Sequence, residues 1–596
     1  MRVMFIILGV LILLCLCAPT TAVAQADWSN KVLNQRDRER KEQIAARLAQ
    51  DKGVSYQTLL TLAEQERHGP AVLFVAGQYF HKVKQVPDEI EAIRVLATRR
   101  DIGYQVIAFA TMSRISEQLI QRFTASAKEI DRQLAAKMIA SLAVMRHGGP
   151  VEPVLRPNQN KLDTAWLKAD HSTSLKTIIE TSVSRDTLEY AFFAAGLDKV
   201  EAVRELAREH INHRVQDVAF AARFALISLG EEVDREKIIN ALSGAEKGRP
   251  KSELSFDPGH TALVYAVMTA GEARLVEAVE PLLDMVNTHD LHTAVAAVRA
   301  LEKIGAKGMV SRLIQAISPD TPWPVRAAIY NAAGSNPDPT VIHLLMDRFK
   351  IETGRLRQDV LYAMLSIAGG GPEALTIEAF QIWWQANSKS FNTDKEATAQ
   401  WRKNNRIHQV EVAAFAGFYE TAVISDRLVF TIDASKSVAG DQLASLHQTM
   451  TELFTAFPDD LQFNLIDFGG HIRVLAKRRM MSGKISERAL NLFINETELT
   501  YGTWAFEAIE AAMDLPEVDT IHFLSDGQPW ASQLNDWNRI RFILRLKCAT
   551  VPITVNMLYF PPKGNPQQIA KTPLAKQMRD FSEETSGRFQ VIVPKP

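Results

Sequence analysis

Two apolar runs that each close on an aspartate constrain this chain most. Leu428-Val-Phe-Thr-Ile-Asp433 and Thr520-Ile-His-Phe-Leu-Ser-Asp526 read as strands buried on both faces, the pattern of a parallel sheet covered by helices. The sequence around them alternates strand and helix patterns, which supports the same architecture. Strands are expected at 428–433, 462–467, 472–475, 520–525, 553–558 and 589–593. Helical patterns fall between them near 442–457, 486–494, 505–513, 536–547 and 574–583. Asp467-Phe-Gly-Gly-His471 reads as the tight turn of a short hairpin, which places one antiparallel edge strand on the sheet. Open sheets of this kind gather ligands at the carboxyl ends of their strands, where both aspartates stand.

The sequence before residue 386 reads differently. At 596 residues the chain is too long for one core, so two or three domains are expected. From about residue 28 to 146, Leu, Ile and Ala recur at three- and four-residue spacing, a helical period. A Gly/Pro-rich break follows from Gly148 to Pro157. Beyond about Ser172, Ala/Val-rich helices close on Gly230, Gly271, Gly305, Gly334 and Gly369, at intervals of 41, 34, 29 and 35 residues. Each glycine is expected just past a helix end, as a left-handed cap. Paired helices at this period resemble a HEAT-type α-solenoid, in which stacked pairs build one elongated core. Phe380-Gln-Ile-Trp383-Trp384 reads as a packing anchor ahead of a polar stretch from Ser388 to Asn405.

The first two dozen residues carry an export pattern: Arg2, an apolar stretch from Met4 to Cys17, then small residues that offer cleavage after Ala24 or Ala26. Residues 1–24 are therefore expected to be a signal peptide, and the mature protein to be soluble in the periplasm, cell envelope or extracellular space. Two of the three cysteines lie in that leader, so Cys548 alone remains and no internal disulfide can form. Its helical, apolar setting points to an inert core thiol. With 68 basic against 69 acidic residues, the chain shows no electrostatic footprint for nucleic acid.

The candidate site comes from three segments: Asp433-Ala-Ser435-Lys-Ser437, Tyr501-Gly-Thr503-Trp, and Ser525-Asp526-Gly. Alternate side chains of a near-extended loop point the same way, so Asp433, Ser435 and Ser437 can aim three oxygens at one point. All five donors are hard oxygens, which suits Mg²⁺, with Mn²⁺ or Ca²⁺ as possibilities, rather than zinc or copper. This Asp-x-Ser-x-Ser, Gly-Thr, Ser-Asp-Gly set resembles the von Willebrand factor type A (VWA) domain with an intact metal-ion-dependent adhesion site, over about residues 426 to 593. The resemblance implies a doubly wound, Rossmann-like fold. It also implies Ser435, Ser437 and Thr503 as inner ligands, with Asp433 and Asp526 acting largely through bound water. Lys436 and Trp504 depart from the small residues frequent at their positions in that family, and neither removes a ligand.

His210-x-x-His213 and His289-x-x-His292 lack a third ligand at zinc spacing and read as helix-end or surface histidines. No Gly-x-Ser-x-Gly elbow occurs, and no general base stands out beside the candidate ion. The whole chain is expected to be multidomain. The signal peptide spans 1–24, an N-terminal helical region 27–150, HEAT-like repeats 172–385, a linker 386–425 and the α/β VWA domain 426–596. Function is expected to be protein binding, in adhesion or envelope assembly, through a partner Asp or Glu that completes the Mg²⁺ shell, and not catalysis. The alternative is a structural scaffold that binds partners through its helical repeats with a passive VWA module.

Overall fold

The computed structural model describes Ala76 and most of residues 86–592. It leaves out 98–103, 112–115, 148–168, 245–260, 478–479, 483–486, 549–550, 562–565 and positions 233, 289, 337, 420, 439 and 531. The expected signal peptide, the Gly/Pro-rich break and His289 lie outside the described residues.

Up to Asn404 the described elements are helices, and they fall into two layers. Arg185–Asp198, Gln216–Ser228, Ala262–Glu272, Leu291–Ile304, Trp323–Ser335 and Gly354–Ala368 pack one on the next. The shorter helices between them, such as Arg204–His210, Val279–Thr288 and Ile342–Ile351, each pack on their neighbour in sequence. The inner series is Ala-rich and almost wholly buried, and small side chains let its helices approach closely. At three points the closeness is extreme. A Cβ on Gly196 would lie 3.2 Å from Ala225 Cα, one on Gly271 2.8 Å from Ala300 Cα, and one on Gly334 3.0 Å from Ala363 Cα.

That contact corrects one expectation. Gly305 and Gly369 do cap their helices in the left-handed region, with φ of 62° and 60°. Gly271 and Gly334 instead lie inside helices, where the next helix leaves no room for a side chain.

The region from Ala416 onward is α/β. A hairpin of β1 (Ala416–Phe418) and β2 (Thr421–Val423) precedes the main sheet. The sheet contains β3 (Arg427–Asp433), β4 (Gln462–Phe468), β5 (Ile472–Val474), β6 (Met481–Ser482), β7 (Thr520–Ser525), β8 (Thr554–Tyr559) and β9 (Phe589–Val591). Its order is β5-β4-β3-β7-β8-β9, with β6 also on β4. β3, β4, β7, β8 and β9 run parallel, while β5 and β6 are antiparallel to β4, as the Gly469-Gly470 turn requires. The expected strands are present with ends displaced by one or two residues. The hairpin, β6 and the helix Pro566–Ile569 have no counterpart among them. Residues 386–425, read as linker, carry the helix Lys395–Asn404 and that hairpin.

Alternation along the strands sorts two cores. Leu428, Phe430 and Ile432 join Phe418, Val423 and Met450 on one face, while Val429, Ile521, Phe523 and Met557 face the core that runs on into the helical half. Phe380, Trp383, Trp384 and Phe391 pack together through stacked and edge-on ring contacts within the helical half. No helix among the described residues is long and apolar enough to cross a membrane.

Candidate metal centre at the carboxyl edge of the sheet

β3 is the pivot of the sheet. The chain passes from it to β4 on one side and later to β7 on the other, so the carboxyl end of β3 opens where the strand order reverses. Asp433 is the last residue of β3, and Asp526 follows the last residue of β7.

The loop after β3 is clamped on both sides. Ala434 N donates to Phe468 O (2.6 Å), Thr500 N donates to Ala434 O (3.0 Å), and Lys436 N donates to Thr500 O (3.0 Å). The approach depends on Gly469, where a Cβ would stand 2.0 Å from Thr500 Oγ1. Within the loop, Ser435 N donates to Asp433 Oδ1 (2.8 Å), an aspartate turn that fixes the carboxyl group. Ser435 Oγ and Ser437 Oγ are 2.8 Å apart. The Ser437 hydroxyl and Asp433 both act on the Asp526 carboxyl, against the upward push of its burial. Four of the five residues named from the sequence therefore form one connected cluster.

Thr503 stands beside it. Its N donates to Trp530 O (2.8 Å) and its O accepts from Trp530 N (3.1 Å), while Trp504 N donates to Gly469 O (3.0 Å). The segment that carries it is thus tied to both the 469–470 turn and the 434–436 loop, but among the described residues Thr503 shares no hydrogen bond with the other four. The helix expected at 505–513 runs Ala505–Met513, with Trp504 as its N-cap. Glu507, half-buried in its first turn, accepts from Ser532 Oγ and Gln533 N (both 2.7 Å) and so anchors the loop that pairs with Thr503.

The electrostatics are those of an unneutralised acid pair. Asp433 is 2% exposed, and burial pushes its carboxyl well above the usual carboxylate range, with the Asp526 charge adding to the shift. Burial likewise pushes Asp526 up. Among the described residues neither carboxylate takes part in an ion pair. A buried carboxyl beside a half-buried one favours a proton or a cation between them. Lys436 does not supply the charge, because its ammonium lies 3.8 Å from the centroid of the Tyr501 ring. The donor set fits a hard divalent ion: two carboxylates, the Ser435 and Ser437 hydroxyls, and Thr503 alongside. No group of three or more His, Cys, Asp or Glu side chains gathers among the described residues.

Two further residues shape the site, and sequence reasoning passed over their roles. Ser525 Oγ donates to Asp433 Oδ2 (2.6 Å) and accepts from Gly527 N (3.0 Å), so it orients one carboxylate and the loop bearing the other. Thr500 Oγ1 accepts from Gly470 N (2.8 Å) and holds the turn. The available signal was a hydroxyl at the last position of an otherwise apolar strand. Elsewhere, His210 and His213 are ordinary helix-end groups: His210 Nδ1 bonds Leu206 O (2.7 Å), and Val215 N donates to His213 Nδ1 (3.2 Å). Cys548 is buried, with its thiol pushed up to about 12, which suits a packing role.

No family model and no curated protein matches this sequence. Among solved structures the chain is similar to a von Willebrand factor type A protein from Catenulispora acidiphila, at 15% identity over 28% of this chain and 43% of that one, TM-score 0.22. It is also similar to proximal thread matrix protein 1 from the mussel byssus, at 15% identity over 34% and 48%, TM-score 0.23. A third likeness, to the RO (RSR) protein of Deinococcus radiodurans, has 12% identity over 91% and 92%, TM-score 0.17. This chain spans less than half of the first two structures. Likenesses this slight carry no functional argument, so function rests on the residues themselves.

Proposed function

We propose that the α/β region is a VWA-type domain in which Asp433, Ser435, Ser437, Thr503 and Asp526 hold Mg²⁺, with Mn²⁺ or Ca²⁺ as substitutes. On this reading the protein is an exported binding protein, active in adhesion or envelope assembly rather than catalysis. The observation that carries it is the pairing of buried Asp433 with half-buried Asp526, two acids without an ion pair among the described residues, beside two serine hydroxyls at the reversal of strand order. Neutral hydroxyls near the ion leave it electrophilic, and a partner Asp or Glu would complete its near-octahedral shell. This chain's own part is to hold the hydroxyls and carboxylates in register through Ser525, Thr500 and Glu507. The helical half, with its two layers and close small-residue contacts, supports a HEAT-like solenoid serving as a docking scaffold.

The test uses the full chain. Immobilised protein should capture its partner from extracts of the producing cell in Mg²⁺ and release it in EDTA. Asp433→Ala should keep the far-UV circular dichroism of the parent yet lose capture. Full capture in EDTA rejects the mechanism and favours the helical scaffold with a passive VWA module.

A further inference from the structure

A second polar site lies at the opposite edge of the sheet from Asp433 and Asp526, where the helical half meets the amino-terminal ends of β7 and β8. A cavity of about 280 Å³ opens there, between the Gly354–Ala368 helix, residues 408–412, β2 and the segment entering β9. Its floor is basic. Arg355 is 1% exposed and uses Nη1 on the carbonyls of Asp519 and Pro552, while its Nε and Nη2 have no hydrogen-bond partner. Asp359, equally buried, forms an ion pair with Arg355 at 3.9 Å from Nε without a hydrogen bond, so Nη2 keeps its donors free. Arg588 lines the mouth and donates through Nε (3.2 Å) and Nη2 (2.7 Å) to His408 O.

Two histidines also line the cavity. His408 Nδ1 and His522 Nδ1 are both buried without a partner, and burial holds both rings neutral, at about 4 and about 3. Buried donors without acceptors are costly, and guanidinium N–H groups most of all. The lining itself carries one carboxylate, the exposed Glu411, and Asp359 balances part of the Arg355 charge from outside the lining.

We propose that this cavity binds a small oxyanion, a phosphate or a carboxylate, held between the Arg355 and Arg588 guanidiniums. Planar N–H forks match such oxygens in bidentate geometry. The volume is worth roughly nine waters at about 30 Å³ each, so the ligand is an anionic group with at most a small organic body. Because Arg355 belongs to the helical half and Arg588 to the sheet, the anion would bridge the two.

The experiment is calorimetric titration of the full chain with inorganic phosphate and, in a parallel arm, with succinate. EDTA is present throughout, so that binding at the Asp433 site cannot contribute. Saturable heat is expected in at least one arm, and the arm that responds names the source of the oxyanion. Arg588→Gln alters an exposed side chain and should weaken binding about tenfold with unchanged circular dichroism. Arg355→Gln should abolish it, and Asp433→Ala should leave it intact. No heat in either arm, or an unchanged Kd in folded Arg588→Gln, overturns the proposal, as does loss of binding in folded Asp433→Ala.

Discussion

At the scale of single residues, the candidate centre shows how little side chain a site needs once the backbone has placed it. Asp433 is oriented by Ser435 N on one oxygen and Ser525 Oγ on the other, so neither oxygen is free to turn. Partners that orient a ligand commonly matter by one to two orders of magnitude in metal affinity. Ser525→Ala should therefore weaken Mg²⁺ binding by about tenfold or more in calorimetry while the protein stays folded; undiminished affinity would reduce Ser525 to a packing residue. Asp359 offers a separate check on electrostatics. Burial pushes its carboxyl up to about 7 from 3.8, and neither of its oxygens is hydrogen-bonded. Between those values the folded protein binds a proton that the unfolded chain has released, so stability falls as pH rises from about 4 to 7. Asp359→Asn should flatten that part of the curve in urea unfolding at several pH values. An unchanged slope would assign it to other groups.

Among the elements, the sheet was legible and the small-residue logic of the helices only half so. Continuous apolar runs such as Leu428–Ile432 leave few alternatives to a strand covered on both faces, and five parallel strands with an antiparallel edge follow that reading. Residues 416–423 were missed because a three-residue strand with glycine at its centre gives no period to count. Gly271 and Gly334 read as caps in the sequence because it marks where glycine stands, not what lies opposite. At the site, motif spacing points to five candidate donors on three segments that the fold brings to one edge of the sheet. It could not reveal Ser525 as an orienting group, since that role depends on which strand lies beside β3. The packing at Gly271 makes its own forecast. Gly271→Ala would press a methyl to 2.8 Å from Ala300 Cα, and the helices must part to admit it. A loss of about 1–3 kcal/mol is expected in urea unfolding, the usual range for overpacking. A neutral or stabilising effect would show that the helix pair yields freely.

The molecule as a whole closes on itself. The helix Trp537–Cys548 of the α/β region packs on Tyr104–Thr111 and Glu129–His147, with the Arg539 guanidinium 5.6 Å from the centroid of the Phe109 ring. Arg355, far along the same helical series, bonds the carbonyls of Asp519 and Pro552. One apolar core runs from the helical half into one face of the sheet. The shared core is expected to make the two halves unfold together, with tryptophan fluorescence and far-UV circular dichroism coincident; two separated transitions would show independent halves. The central claim, that side chains from three distant segments hold one hard cation, is tested most directly by anomalous scattering from crystals grown with Mn²⁺. The account predicts one manganese peak in direct contact with Ser435, Ser437 and Thr503 and beside Asp433 and Asp526. No peak there at saturating Mn²⁺, or a peak held by other residues, would contradict it.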